Sequence, residues 1–421
     1  MFSSMFKVQS SRLRRRTRRG NSILEVLFAV LVAVIGLLGA IAVFPVASSQ
    51  AQKARVLETI ATAGRSCVHQ FDTAGMRRPD CWWYWNPSPT TLPAYPKFEV
   101  INAYTSPPGP GKPTYGYSYC IDSRFVVANA GLSLPAGYDA TSFPYVWQDA
   151  TNPALNNLSL NSPQMARVAF FPPVPTGVAG AAAAPYIDSS GNAAKTIAGC
   201  RIQADSIFLI DDDPSYERPK DGSLPGQQNY AALPLAGMGR RQTEGEYSWM
   251  ATLVPRIDIY SGASTDQYVL SVVMFHKRPA DLALNVLDNA RTLERTVGAA
   301  AADGYTGGEV LLYWTAPQNT ANDDLAKDRL KVRPGDWIML SGNMSYPIGN
   351  NQSRTLPRFQ WYRVADTEDM VYDGTASQYE RWVTLVGQDW SINLAVQQAT
   401  IVEGVIGVYE KTARLEYGDA L

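Results

Sequence analysis

From Val26 to Val46 the chain runs 21 residues without a charged or strongly polar side chain. As an α-helix this run is roughly 32 Å long, about the hydrocarbon thickness of a bilayer. Beyond it the pattern turns polar but stays helical in period: Val56, Leu57 and Ile60 form a narrow apolar stripe within Ser48–Ala61. Gly64 is an interior glycine or an early stop, and the helix is expected to reach about Phe71 before Gly75 and Pro79 end it. Pro45 should kink or loosen it locally.

After the helix the pattern is that of strands and long loops. Residues 79–115 are Pro-rich, hold Trp82, Trp83, Tyr84 and Trp85, and show little periodicity. Thr176–Lys195 reads as a loop. Strands are expected at Arg201–Ile210, Tyr247–Val254 and Gln267–His276, the last two paired as a hairpin through Ser261-Gly262-Ala263-Ser264. Residues 279–300 read as helix or linker. A meander is expected over Glu309–Thr315, Asp336–Ser341, Gln360–Val364, Arg381–Gly387 and Thr400–Glu410. The fold class is therefore α+β: a long N-terminal transmembrane helix, then a large β-rich head. The expected divisions are a leader at 1–20, an apolar half-helix at 21–47, a polar half-helix at 48–72, a loop-rich β region at 73–278 and a C-terminal β-meander at 279–421.

Charge changes the picture at one end only. The formal net charge is −1, but residues 1–20 carry Lys7, Arg12, Arg14, Arg15, Arg16, Arg18 and Arg19 with no acid. Without those seven, 30 basic residues face 38 acidic ones, so the body stands at −8 and lacks the basic footprint of a nucleic-acid binder. Placed before an apolar helix, the basic cluster stays cytoplasmic by the positive-inside rule and sends the body across the membrane.

Glu25 is the unusual residue. A carboxylate at the edge of an apolar run is costly in lipid and marks function. It stands fifth from Asn21, which follows Gly20 and the pair Arg18-Arg19. A conventional secretory signal has a shorter apolar region and a small-residue cleavage site, for which Ala47 and Ser48 are available. A twin-arginine signal wants apolar residues where Asn21 and Ser22 stand, and a plain anchor explains neither Gly20 nor Glu25.

The pattern Gly20-Asn21-Ser22-Ile23-Leu24-Glu25 before an apolar helix resembles the class III leader of type IV prepilins and type II secretion pseudopilins. The continuation through Ile35-Gly36-Leu37-Leu38-Gly39 is similar to minor pilins of the pilus modification type. The resemblance covers about residues 14–55, and the family's usual Phe or Met at the first mature position is here Asn21. It implies cleavage after Gly20 by a prepilin peptidase, commonly with methylation of the new N-terminus. It also implies pairing of Glu25 with the N-terminal amine of a neighbouring subunit. The implied partners are other pilin or pseudopilin subunits, an inner-membrane assembly platform and the membrane itself. The implied location is the inner membrane, N-terminus cytoplasmic and head extracytoplasmic, then a periplasmic or surface filament. A pseudopilin is the alternative reading, and an anchored exported enzyme or carbohydrate-binding protein is the alternative of another class.

Other candidates are thinner. Cys67, Cys81, Cys120 and Cys200 all follow the apolar helix, and an even count in an exported body predicts two disulfides with three connectivities. Proximity prefers Cys67–Cys81 with Cys120–Cys200. With no C-x-x-C pair and only His69 and His276, a zinc site is not expected. Asp211-Asp212-Asp213 near Asp221 offers calcium-type ligands, but not in EF-hand order, and an exposed acidic turn explains it as well. The Trp82–Trp85 cluster reads as packing before sugar stacking, and His276 with Lys277 and Arg278 as a surface strand end. No nucleophile elbow or phosphate-binding glycine loop occurs, so neither an enzyme nor a cofactor is expected.

Overall fold

The computed structural model describes residues 23–86, 97–100, 118–128, 143–144, 163, 165–171, 197–210, 247–257, 264–278, 294–301, 308–349, 352–390 and 394–416. Its contacts divide into two bodies, Met1–Glu58 and Thr59–Leu421. Helix α1, Ile23–Thr73, contributes to both and continues through Pro45. The hydroxyls of Ser48 and Ser49 donate back to the Pro45 and Val46 carbonyls, each at 2.9 Å. Past Thr73 the chain turns at Gly75, whose φ of +77° suits a residue without a side chain.

The second body holds two sheets. The first has seven strands in the order β14-β6-β5-β3-β4-β1-β2. These are β1 (Trp82–Asn86), β2 (Lys97–Val100), β3 (Ser118–Ile121), β4 (Met165–Phe170), β5 (Tyr247–Ile257), β6 (Ser264–His276) and β14 (Val405–Arg414). The β5–β6 hairpin expected from alternation is present, with Met250 opposite Val273. Two short helices accompany this sheet, α2 (Ser123–Ala128) and α3 (Ile197–Phe208). The strand expected at Arg201–Ile210 is thus mostly helix. Cys200, Ala204 and Phe208 are buried at four-residue spacing, so one helical stripe reaches the core.

The second sheet closes on itself. Strands β7 (Glu294–Ala301), β8 (Glu309–Thr315), β9 (Trp337–Gly349), β10 (Gln352–Thr367), β12 (Gln378–Val386) and β13 (Ala395–Val402) form a six-stranded barrel. The β10–β12 pairing closes it, and β11 (Val371–Asp373) is added outside on β12. Helix α4, Thr320–Arg329, joins β8 to β9, its first turn capped by the Asn319 side chain accepting from the Asn322 N–H at 2.8 Å. This corrects two expectations. Residues 294–301 are strand and not helix, and the C-terminal region is not a separate meander, because β14 leaves the barrel and rejoins the first sheet beside β6.

Alternation decides which face goes where. Ile338, Leu340, Tyr362 and Val364 point into the barrel, whereas their neighbours Met339 and Trp361 point out, into a cluster with Met250, Val273 and Phe275 of the first sheet. The Trp361 indole N–H donates to Thr252 Oγ1 across this interface at 3.1 Å. On the other face of β5, Trp249 packs on Phe208 of α3 and donates to the Ile207 carbonyl at 3.0 Å. Strand β5 is therefore covered twice, by α3 and by the barrel, which explains an unbroken buried run from Tyr247 to Leu253.

Candidate functional site

In the first body, every large apolar side chain from Ile23 to Leu38 is exposed, with Ile23 at 83% and Leu38 at 60%. Ile41, Val43, Phe44 and Val46 continue the series. This is one helix long and apolar enough to cross a membrane. Glu25 lies in its first turn, where a carboxylate complements the positive end of the helix dipole. Gly36 and Gly39 leave open space around their Cα atoms, with no atom within 4 Å of where a Cβ would stand. Gly20 and Asn21 lie outside the described residues.

In the second body the rest of α1 has a seat. Ile60, Cys67 and Phe71 are buried at spacings of seven and four, with Gly64 between them in the same stripe. Of the stripe expected from sequence, Ile60 is buried, Val56 is half-buried and Leu57 is exposed. β14 supplies part of this seat, and the Ile207 carbonyl of α3 accepts from the Gln70 side chain at 3.2 Å. Tyr409 donates its phenol O–H to the Ile60 carbonyl at 3.2 Å, and Lys411 reaches Asp72 at 2.8 Å. Arg77 pairs with the same Asp72 at 2.7 Å. The Trp82 indole donates to the Met76 carbonyl at 3.0 Å. Trp82 and Trp83 are both buried, so they pack as expected and offer no surface for a ligand.

The densest chemistry in the described residues is a buried ion network. Arg167 of β4 contacts Asp122 at 2.6 Å and Glu294 at 2.7 Å, and Arg278 contacts the same two carboxylates at 2.6 and 2.7 Å. All four side chains are at most 6% exposed. Asp122 also caps α2, accepting from the Phe125 N–H at 3.4 Å. The Arg167 guanidinium lies over the Phe125 ring, 3.3 Å from its centroid, with Phe143 at 4.5 Å. Burial alone would raise both carboxyls, but Arg278 and Arg167 together hold Asp122 well below the usual carboxylate range and Glu294 below it too. Two acids locked as anions and fully neutralised cannot trade protons near neutral pH. The arrangement instead ties β3, β4 and the end of β6 to the first residue of the barrel.

The surface position expected for His276, beside Lys277 and Arg278, is corrected as well. His276 itself is half-buried against Tyr247, ring centroids 5.2 Å apart. The signal for the network was present in the sequence: Asp122 directly follows an apolar strand, and Arg167 interrupts Met165–Phe170.

The four cysteines are buried, and no disulfide links them. The expected Cys120–Cys200 pairing fails because the two side chains belong to different clusters. Cys120 packs with Met250, its S–H 3.7 Å from the thioether, and Cys200 packs with Trp83 and Phe125. Burial pushes the Cys67 thiol up to about 12 and raises that of Cys120 further. Asp211, Asp212 and Asp213 lie outside the described residues, among which no cluster of metal-ligating side chains occurs.

No family model matches this chain, and no curated protein matches it.

Proposed function

We propose that the chain is a structural subunit of a type IV pilus-like filament, a minor pilin cleaved after Gly20 and assembled through its N-terminal helix. The observation that carries this reading is the apolar run of α1, whose large apolar side chains are all exposed, with a single carboxylate, Glu25, in its first turn. Bare apolar surface of this extent needs lipid or other helices to cover it. Glu25 then needs a cation, and the α-ammonium freed at Asn21 in a neighbouring subunit is the natural partner, each charge offsetting the other's desolvation. A prepilin peptidase and an inner-membrane platform are the machinery this requires, and the head is an extracytoplasmic structural module.

The test is intact-mass measurement on the protein from membrane and sheared-filament fractions. A mature chain beginning at Asn21 and present in filaments is expected. An intact leader, or a chain starting near Ala47, overturns the proposal and favours the anchored-enzyme or anchored-binding alternative. Recovery of the processed chain only with a secretion complex favours the pseudopilin.

A further inference from the structure

Where the chain crosses from the barrel back to the first sheet, a cavity of about 200 Å³ opens between the β13–β14 turn and the segment joining α4 to β9. Its charged floor is Arg295 of β7, whose side chain is only 3% exposed. The guanidinium is fixed by the Arg329 carbonyl at 2.8 Å and by the Lys331 carbonyl. Asp336 and Asp328 act on it electrostatically from further off, while its ion-pair partner among the described residues is Glu403, 3.3 Å away and 46% exposed. That distance is long for a charge-assisted bond, which normally closes to about 2.7–2.9 Å. Glu403 sits on a turn with Gly404 at φ +82°, so this carboxylate rests on the mouth of the cavity. At the rim, Lys331 and Arg333 are exposed, and among the described residues neither side chain has a partner. The remaining acid, Asp336, is engaged by the Arg333 backbone N–H at 2.9 Å. Half-buried Trp337 lines the cavity as well.

Three cations thus converge on a space lined by two carboxylates, of which Glu403 is exposed and comes from the protein's own turn. The volume is below the roughly 300–1,000 Å³ of small-molecule sites and suits one side chain. We propose that this cavity binds an acidic side chain, glutamate or aspartate, presented by a protein partner, which takes the place of Glu403 on Arg295. Glu403 acts as an internal competitor that keeps Arg295 charge-paired until the partner arrives. This inference does not depend on the filament reading, since it concerns the head alone.

The test uses the full chain in neutral detergent and a fluorescent, end-blocked pentapeptide, Gly-Gly-Glu-Gly-Gly, with its Gln counterpart as control. The Glu peptide is expected to bind and the Gln peptide not. Glu403→Gln should tighten binding of the Glu peptide about tenfold, and Lys331→Ala with Arg333→Ala should weaken it by a similar factor, as for close charge pairs at interfaces. Both rim residues are exposed, and an unchanged melting temperature verifies that the double variant is folded. Equal binding of the two peptides, or no gain in Glu403→Gln, overturns the proposal. D-glucuronate displacing the Glu peptide at lower concentration than N-acetylglutamate amide also overturns it, in favour of an acidic sugar.

Discussion

Tyr409 lays its ring where a side chain at Gly64 would have to go: a Cβ at that position would lie 2.1 Å from Tyr409 Cε2. Helix propensity favours alanine over glycine by about 1 kcal/mol in a helix interior, but overpacking typically costs about 1–3 kcal/mol. Gly64→Ala is therefore expected to destabilise the head despite its better propensity, and Tyr409→Leu in the same background should recover part of the loss. Denaturant unfolding of the two variants decides this. A stabilised Gly64→Ala would mean that the ring is free to move aside.

The ion network predicts a large asymmetry between single and paired changes. Arg167→Met leaves two buried carboxylates with one cation and should cost about 3–5 kcal/mol. A combined replacement of Arg167, Asp122, Arg278 and Glu294 by apolar residues of similar volume should be far less damaging than the single change. Urea midpoints at pH 7 measure both.

The same network fixes a pH dependence. The folded-state carboxyls of Asp122 and Glu294 are lowered, so their contribution to stability is complete above the unfolded carboxylate range. It declines as the pH falls from that range towards the depressed folded values. The melting temperature should therefore be flat between about pH 6 and 8 on account of these groups and fall below about pH 4. In the Arg167→Met variant this acid-side loss should be smaller, as read by calorimetry.

Cys67 and Cys120 should resist alkylation in the native protein, because the thiolate is the reactive form and burial raises both thiols. Iodoacetamide at pH 8 followed by peptide mass spectrometry should label both only after denaturation, and without prior reduction. Labelling that requires reductant would show that these cysteines are disulfide-bonded in the cell.

Glu25→Ala is expected to leave processing intact and to impair incorporation into filaments. Immunoblots of membrane and sheared fractions read the two effects separately. Unchanged incorporation would remove the role assigned to this carboxylate.

Much of this architecture was legible because the governing interactions are local. The apolar run after the basic cluster, the helix end near Gly75, and the β5–β6 hairpin follow from periodicity and turn chemistry. Strands β9 and β10 extend well beyond the expected Asp336–Ser341 and Gln360–Val364, and Pro347 and Pro357 both lie within the paired segments. Strand β7 was missed because it opens with Glu294 and Arg295, charges that local pattern assigns to the surface. Their partners lie outside the local window, Arg167 and Arg278 for the first and the Arg329 and Lys331 carbonyls for the second. Barrel closure through β10 and β12, and the return of β14, likewise depend on long-range pairing that no window reveals. Of the candidate site, Glu25 and its helix could be read directly, and the cavity floored by Arg295 could not.

The return of β14 bears on the order of events as the chain is made. Residues 60–72 of α1 are held in part by Tyr409 and Lys411, some 340 residues downstream, so the helix waits for nearly the whole polypeptide before its docking is complete. A chain stalled after the barrel would hold an incomplete sheet and an unseated helix. Docking of α1 therefore acts as a completion check, met only once the last strand has crossed.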